Sequence, residues 1–108
     1  MSSVIVTERA AEAIAERYRH FSAAAPVGKS IPVLLWSTRS HFDDNEGNRT
    51  ELGSRFYFYW TNEREIREFD YLTINVADVG QLALAPGELF KTGAHKIEAQ
   101  NGALILTS

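Results

Sequence analysis

Apolar positions recur near the start of the chain at helical spacing and over the remainder at strand spacing. Ala11, Ile14, Tyr18 and Phe21 follow at intervals of three, four and three, so they line one stripe of a helix. Glu8, Arg9, Glu12, Glu16, Arg17 and Arg19 occupy its other faces. Thr7 stands where an N-cap belongs, because its hydroxyl can accept from a free N–H of the first turn, and Glu8 complements the helix dipole. The spacing predicts an amphipathic helix over residues 8–22, ended by the Ala- and Pro-containing stretch 23–28. The apolar run 4–6 before it is a strand or a lead-in.

Beyond residue 30 the period changes to two. Residues 31–36 form a compact apolar strand, with Pro32 near its start, where a missing N–H does least harm. Residues 55–61 form an aromatic strand that sends Phe56, Phe58 and Trp60 one way and Arg55, Tyr57, Tyr59 and Thr61 the other. Between the two, residues 38–53 are polar and rich in Asp, Asn and Gly, which predicts a long loop that is either mobile or functional. Residues 62–65 read as a polar turn. Residues 71–77 alternate again, with Leu72, Ile74 and Val76 on one face, and 81–85 read as a short strand or an extended segment ending at Pro86-Gly87. Asn101-Gly102 between 95–100 and 103–107 supplies the positive φ angles of a two-residue hairpin turn. The expected fold is α+β: one N-terminal amphipathic helix on a mainly antiparallel sheet or sandwich that ends in an Asn-Gly hairpin.

With 108 residues and no internal boundary, the whole chain, 1–108, is expected to form a single globular domain. The absence of cysteine excludes disulfides, thiolate metal sites and thiol nucleophiles, and it favours a reducing compartment. The N-terminus lacks a basic stretch followed by a long apolar one, so the expected location is cytoplasmic. The net charge of −3 is spread evenly, with six basic and seven acidic residues in 1–54 and five and seven in 55–108. Without a basic patch, nucleic acid is not an expected partner, and without a long apolar run neither is a membrane.

Several residues invite chemistry. His41, Asp43 and Asp44 are close enough in sequence to suggest a divalent-cation site, although such a site needs three or four convergent ligands. The alternative is a solvated turn, and no metal or cofactor is expected. Glu16 and His20 can pair across one helical turn, and His95 reads as an exposed strand position. No nucleophile elbow, phosphate loop or dinucleotide fingerprint is present. The aromatic strand offers more. Phe56, Phe58 and Trp60 suit the core under the helix, whereas Arg55, Tyr57, Tyr59 and Thr61, with His41 of the adjoining segment, form a candidate binding face. The other reading of those tyrosines is a second buried layer.

The opening Val4-Ile5-Val6-Thr7-Glu8-Arg9-Ala10-Ala11-Glu12-Ala13-Ile14 resembles the start of the HesB-like, or A-type iron–sulfur carrier, family. The resemblance extends to 31–36 as a first long strand, 72–76 as a later one and 89–98 as the approach to a closing hairpin. It implies a helix followed by a compact β fold. Cluster-carrying members use a cysteine after the first long strand and a Cys-Gly-Cys pair near the C-terminus. Here the first region reads Ser37-Thr38-Arg39-Ser40-His41-Phe42, and the closing residues are Leu106-Thr107-Ser108. No cluster ligand carries over, so the resemblance implies the fold without the carrier activity. The expected function is a non-catalytic binding or accessory domain that holds a protein or small-molecule partner through the aromatic β face or the 38–53 segment. The alternatives are an inhibitor or immunity-type protein and a small enzyme using His41 with nearby acids.

Overall fold

The computed structural model describes residues 3–43 and 45–107, and the side chains of residues 39–43 and 49–53 lie outside that description. In chain order the elements are β1 (Ser3–Val6), α1 (Glu8–Phe21), β2 (Ile31–Asp43), β3 (Arg49–Thr61), α2 (Glu63–Glu68), β4 (Leu72–Val76), β5 (Gly80–Ala85), α3 (Gly87–Phe90), β6 (Ala94–Gln100) and β7 (Ala103–Thr107). The strands make two sheets, β1-β6-β7 and β3-β2-β5-β4. The β1–β6 and β2–β5 pairs are parallel and the other pairs antiparallel, giving an α+β fold with mostly antiparallel pairing.

Helix α1 starts as its sequence dictates. The Thr7 hydroxyl accepts from the Ala10 N–H at 3.2 Å, and Thr7 itself is extended. The buried stripe is turned relative to the expected one: Ala10, Ile14 and Ala15 are inside, Tyr18 lies 5.7 Å from the Trp60 ring, and Phe21 is 44% exposed. Phe21 thus caps the edge of the aromatic strand, 6.0 Å from Phe58, instead of entering the core.

The main core lies where α1 meets both sheets. Ala10 and Ile14 pack there with Leu34, Leu82, Leu84, Phe90, Ile97 and Leu104. Phe56, Phe58, Leu72 and Ile74 border it, as alternation along β3 and β4 requires. The opposite face of the larger sheet buries a smaller cluster of Val33, Ile66, Ala83 and Ala85, with Tyr59 and Tyr71 beside it. At the end of the smaller sheet Gln100 pairs with Ala103, and Asn101 and Gly102 between them have φ of 53° and 81°.

Two sequence expectations need correction, and one element has no counterpart among them. Residues 38–43 and 49–53 are strand, not loop, and they form the outer half of the β2–β3 hairpin. Once residues 31–37 pair with 55–61, each further pair extends an existing ladder, and this context overrides a polar composition. Register shifts flank Ser40, and β5 pairs with β2 at Val33, Leu34 and Leu35, so the outer half has β3 as its strand partner. Residues 62–65 open α2, where the Asn62 side-chain carbonyl accepts from the Glu65 N–H at 2.8 Å. Finally, α3 follows a cis Ala85–Pro86 bond and carries the buried Phe90.

Candidate functional site

Alternation places Arg55, Tyr57, Tyr59 and Thr61 on one face of β3, but neighbouring segments divide that face in two. Near the C-terminal end of the strand, Thr61 is fully buried and donates to a Glu65 carboxylate oxygen at 3.2 Å. Tyr59 packs against Val33 and Ala83, and its hydroxyl shares a 3.0 Å hydrogen bond with the Tyr71 hydroxyl. Burial first, and then the Tyr71 bond, raise its pKa above the ordinary tyrosine value. These two residues belong to the second buried layer, and their loss should register in stability.

Arg55 and Tyr57 lie beyond the reach of α2. Tyr57 is 36% exposed, and the Arg55 guanidinium carbon sits 5.1 Å from its ring centroid. A cleft of about 310 Å³ opens beside them along the edge strand β3, facing the start of β7. Leu34, Phe56, Phe58, Ala103 and Leu104 supply its apolar surface, and Arg17, Arg55 and Tyr57 its polar groups. Among the described residues the lining includes two arginines and no acidic residue.

Arg17 comes into this wall from α1. It lies three residues after Ile14 and seven after Ala10, which puts it on the buried stripe and not on the solvent face where the sequence pattern assigned it. Its Nη2 donates to the Gly102 carbonyl at a long 3.4 Å, and its Nη1 is buried without a hydrogen-bond partner. Leaving a charged donor unsatisfied in this way costs about 1–3 kcal/mol or more.

His20 and His95 are not among the residues that line the cleft. His41 and Asp43 are strand residues of β2, opposite Glu51 and Arg49 in register; their side chains, and Asp44 altogether, lie outside the described residues. Among the described residues no group of three or more His, Asp or Glu is arranged to hold a metal ion. His20 sets its ring edge-on to Phe21 at 4.8 Å, and His95 Nε2 donates to the Thr92 carbonyl at 2.7 Å. No helix among the described residues is long and apolar enough to cross a membrane.

The polar group at Thr61 has a measurable consequence. Lys29 Nζ lies 2.8 Å from Glu65 Oε1, and this bond, aided by Thr61, holds the Glu65 carboxyl below the usual glutamate range. A carboxyl with a depressed folded-state pKa adds stability above its unfolded value, and that contribution disappears as pH falls through the folded one. Lys29→Met is therefore expected to raise the Glu65 pKa toward the ordinary glutamate value, read by NMR titration of the side-chain carboxyl. An unchanged pKa would remove Lys29 as its main cause.

Compared with models of protein families, with curated proteins and with solved structures, the chain matches none.

Proposed function

We propose that this chain is a non-catalytic binding domain that works through the Arg55–Tyr57 end of β3 and the cleft beside it. The observation that carries the reading is the cleft itself. It combines an apolar floor with a few convergent polar groups, the usual make-up of a small-molecule site, and its volume of about 310 Å³ is at the low end for such sites. A non-catalytic role is supported by the surroundings: among the described residues the cleft lining holds no histidine, carboxylate or hydroxyl nucleophile beyond the Tyr57 phenol. The HesB-like resemblance of residues 4–14 remains part of this reading as a proposal of shared fold without cluster-carrying activity. A cytoplasmic setting is proposed on the absence of cysteine.

The test is a fragment screen by protein-observed NMR. Hits are expected to shift the amides of residues 55–58 and 103–104 and to leave those of α2 unmoved. Tyr57→Ala is expected to weaken these hits at least tenfold while changing stability by only about 0.5 kcal/mol, as for a surface position. Hits confined to another face, or none at all, would defeat the reading.

A further inference from the structure

We infer that the cleft takes a small amphipathic monocarboxylate, with its carboxylate between Arg17 and Arg55 and its apolar body on Phe56, Phe58 and Leu104. The inference rests on the cleft being the binding site and adds the chemical class of the ligand.

Charge is the first support. The chain as a whole carries a net charge of −3, yet the described residues that line this cleft include two arginines and no acid. Two like charges facing one cavity repel each other, and an anion between them offsets both. Arg17 provides the second, independent support. Its Nη1 is shut away from water with no acceptor, and its Nη2 makes a contact to Gly102 at the outer limit of a hydrogen bond. A small rotation of the guanidinium exchanges that poor contact for two parallel donors directed at a carboxylate, the fork geometry in which arginine binds most strongly. Arg55 is a second lining residue, with its guanidinium carbon 5.1 Å from the Tyr57 ring centroid.

The apolar floor sets the rest of the ligand. Inorganic phosphate is strongly hydrated and would leave Phe56, Phe58 and Leu104 uncovered, whereas an aromatic or aliphatic acid covers them while presenting one negative charge. A volume of about 310 Å³ suits a single small molecule better than an extended polymer.

The experiment titrates the full chain, by calorimetry and by amide chemical shifts, with 1-naphthylacetate, octanoate, 1-naphthylacetamide, inorganic phosphate and acetyl-Leu-Phe with a free C-terminal carboxylate. The two acids are expected to bind at residues 55–58 and 103–104, and the amide at least tenfold more weakly than its acid. Arg17→Met is expected to reduce affinity for both acids tenfold or more while the melting temperature stays the same or rises, because the variant no longer buries an unpaired donor. A merely structural Arg17 would instead lower the melting temperature. Equal binding of acid and amide in the cleft would overturn the anion assignment and leave the cleft as a binding site. Tighter binding of phosphate would overturn the amphipathic assignment, and tighter binding of the peptide would overturn a free acid as the source of the carboxylate in favour of a peptide C-terminus. If none of the five probes binds, this inference fails, and the fragment screen decides separately whether the cleft binds anything.

Discussion

Replacing Phe90 with alanine is expected to lower the free energy of unfolding by about 3–5 kcal/mol, the usual cost of deleting a buried aromatic ring. Phe90 has no exposed surface, and it packs with Ile14, Ile97 and Leu104 at the junction of α1 and the two sheets. Collapse of the cavity is not available there, because Ile14, Ile97 and Leu104 come from α1, β6 and β7, whose positions are set by their own helix and ladders. Domains of this kind have total stabilities of about 5–15 kcal/mol, so this one truncation removes a large share. Phe21→Ala provides the contrast. That ring is 44% exposed and touches the rings of Phe58 and His20 at the molecular edge, so its loss should cost about 1 kcal/mol. Urea unfolding of both variants, with slopes compared to the parent, measures the difference. Equal losses would mean that α1 is rotated about its axis from the arrangement described.

Phe90 also shows which parts of the fold were legible in the sequence. The Thr7 cap, the helix it begins and the alternation of β3 and β4 all follow from local patterns several residues long. Phe90 sits on a helix of four residues, too short to display a period, and directly after a Pro-Gly pair that reads as a turn. Nothing local marks it as interior; its burial is decided by the elements that converge on it. The outer half of the β2–β3 hairpin was hidden for a related reason. Its residues are mostly polar and flank the Asn- and Gly-rich stretch 45–48, and the register already established between residues 31–37 and 55–61 carries them into the ladder.

At the candidate site, Arg55 and Tyr57 were legible as an exposed pair on one face of an aromatic strand. Tyr59 and Thr61 share that face by period, but the residues that bury and bond them, Tyr71 and Glu65, come from later segments that alternation within β3 cannot register. Arg17 was missed through a choice of phase. Taking Ala11 as the start of the helical stripe leads to Tyr18 and Phe21 and leaves Arg17 outside, whereas starting from Ala10 includes Arg17 and leaves Phe21 at the margin. Alanine contributes too little apolar surface to decide between adjacent phases, so the large side chains governed the choice, and those reach sideways over the edge of the sheet. Ile14 belongs to both stripes, so its apolar character does not separate the two phases.

The second large effect is expected at Gly87, and its cause is purely steric. A Cβ built on Gly87 would lie 2.0 Å from the Asp70 carbonyl oxygen and 2.9 Å from its carbon, and both are backbone atoms that cannot rotate aside. That stretch of backbone is held on each side. The Tyr71 N–H donates to the Ile66 carbonyl at 3.1 Å, Asp70 has a φ of 55°, and its carboxylate pairs with the Lys91 ammonium at the end of α3. Gly87→Ala must therefore push α3 away from the α2–β4 connection and draw Phe90, which α3 carries, out of its place in the core. Overpacking of this kind typically costs 1–3 kcal/mol, and with Phe90 coupled to the displacement a loss of about 3 kcal/mol is expected. Gly28→Ala separates steric from conformational cost, since a Cβ there meets nothing within 4 Å and the only penalty is the positive φ of 78°. That penalty is about 1–2 kcal/mol. Chemical denaturation of the two variants should rank Gly87→Ala as clearly the more destabilised. A Gly87→Ala variant no less stable than Gly28→Ala would show that α3 moves freely against the Asp70 backbone, and that Phe90 is held by its core neighbours alone.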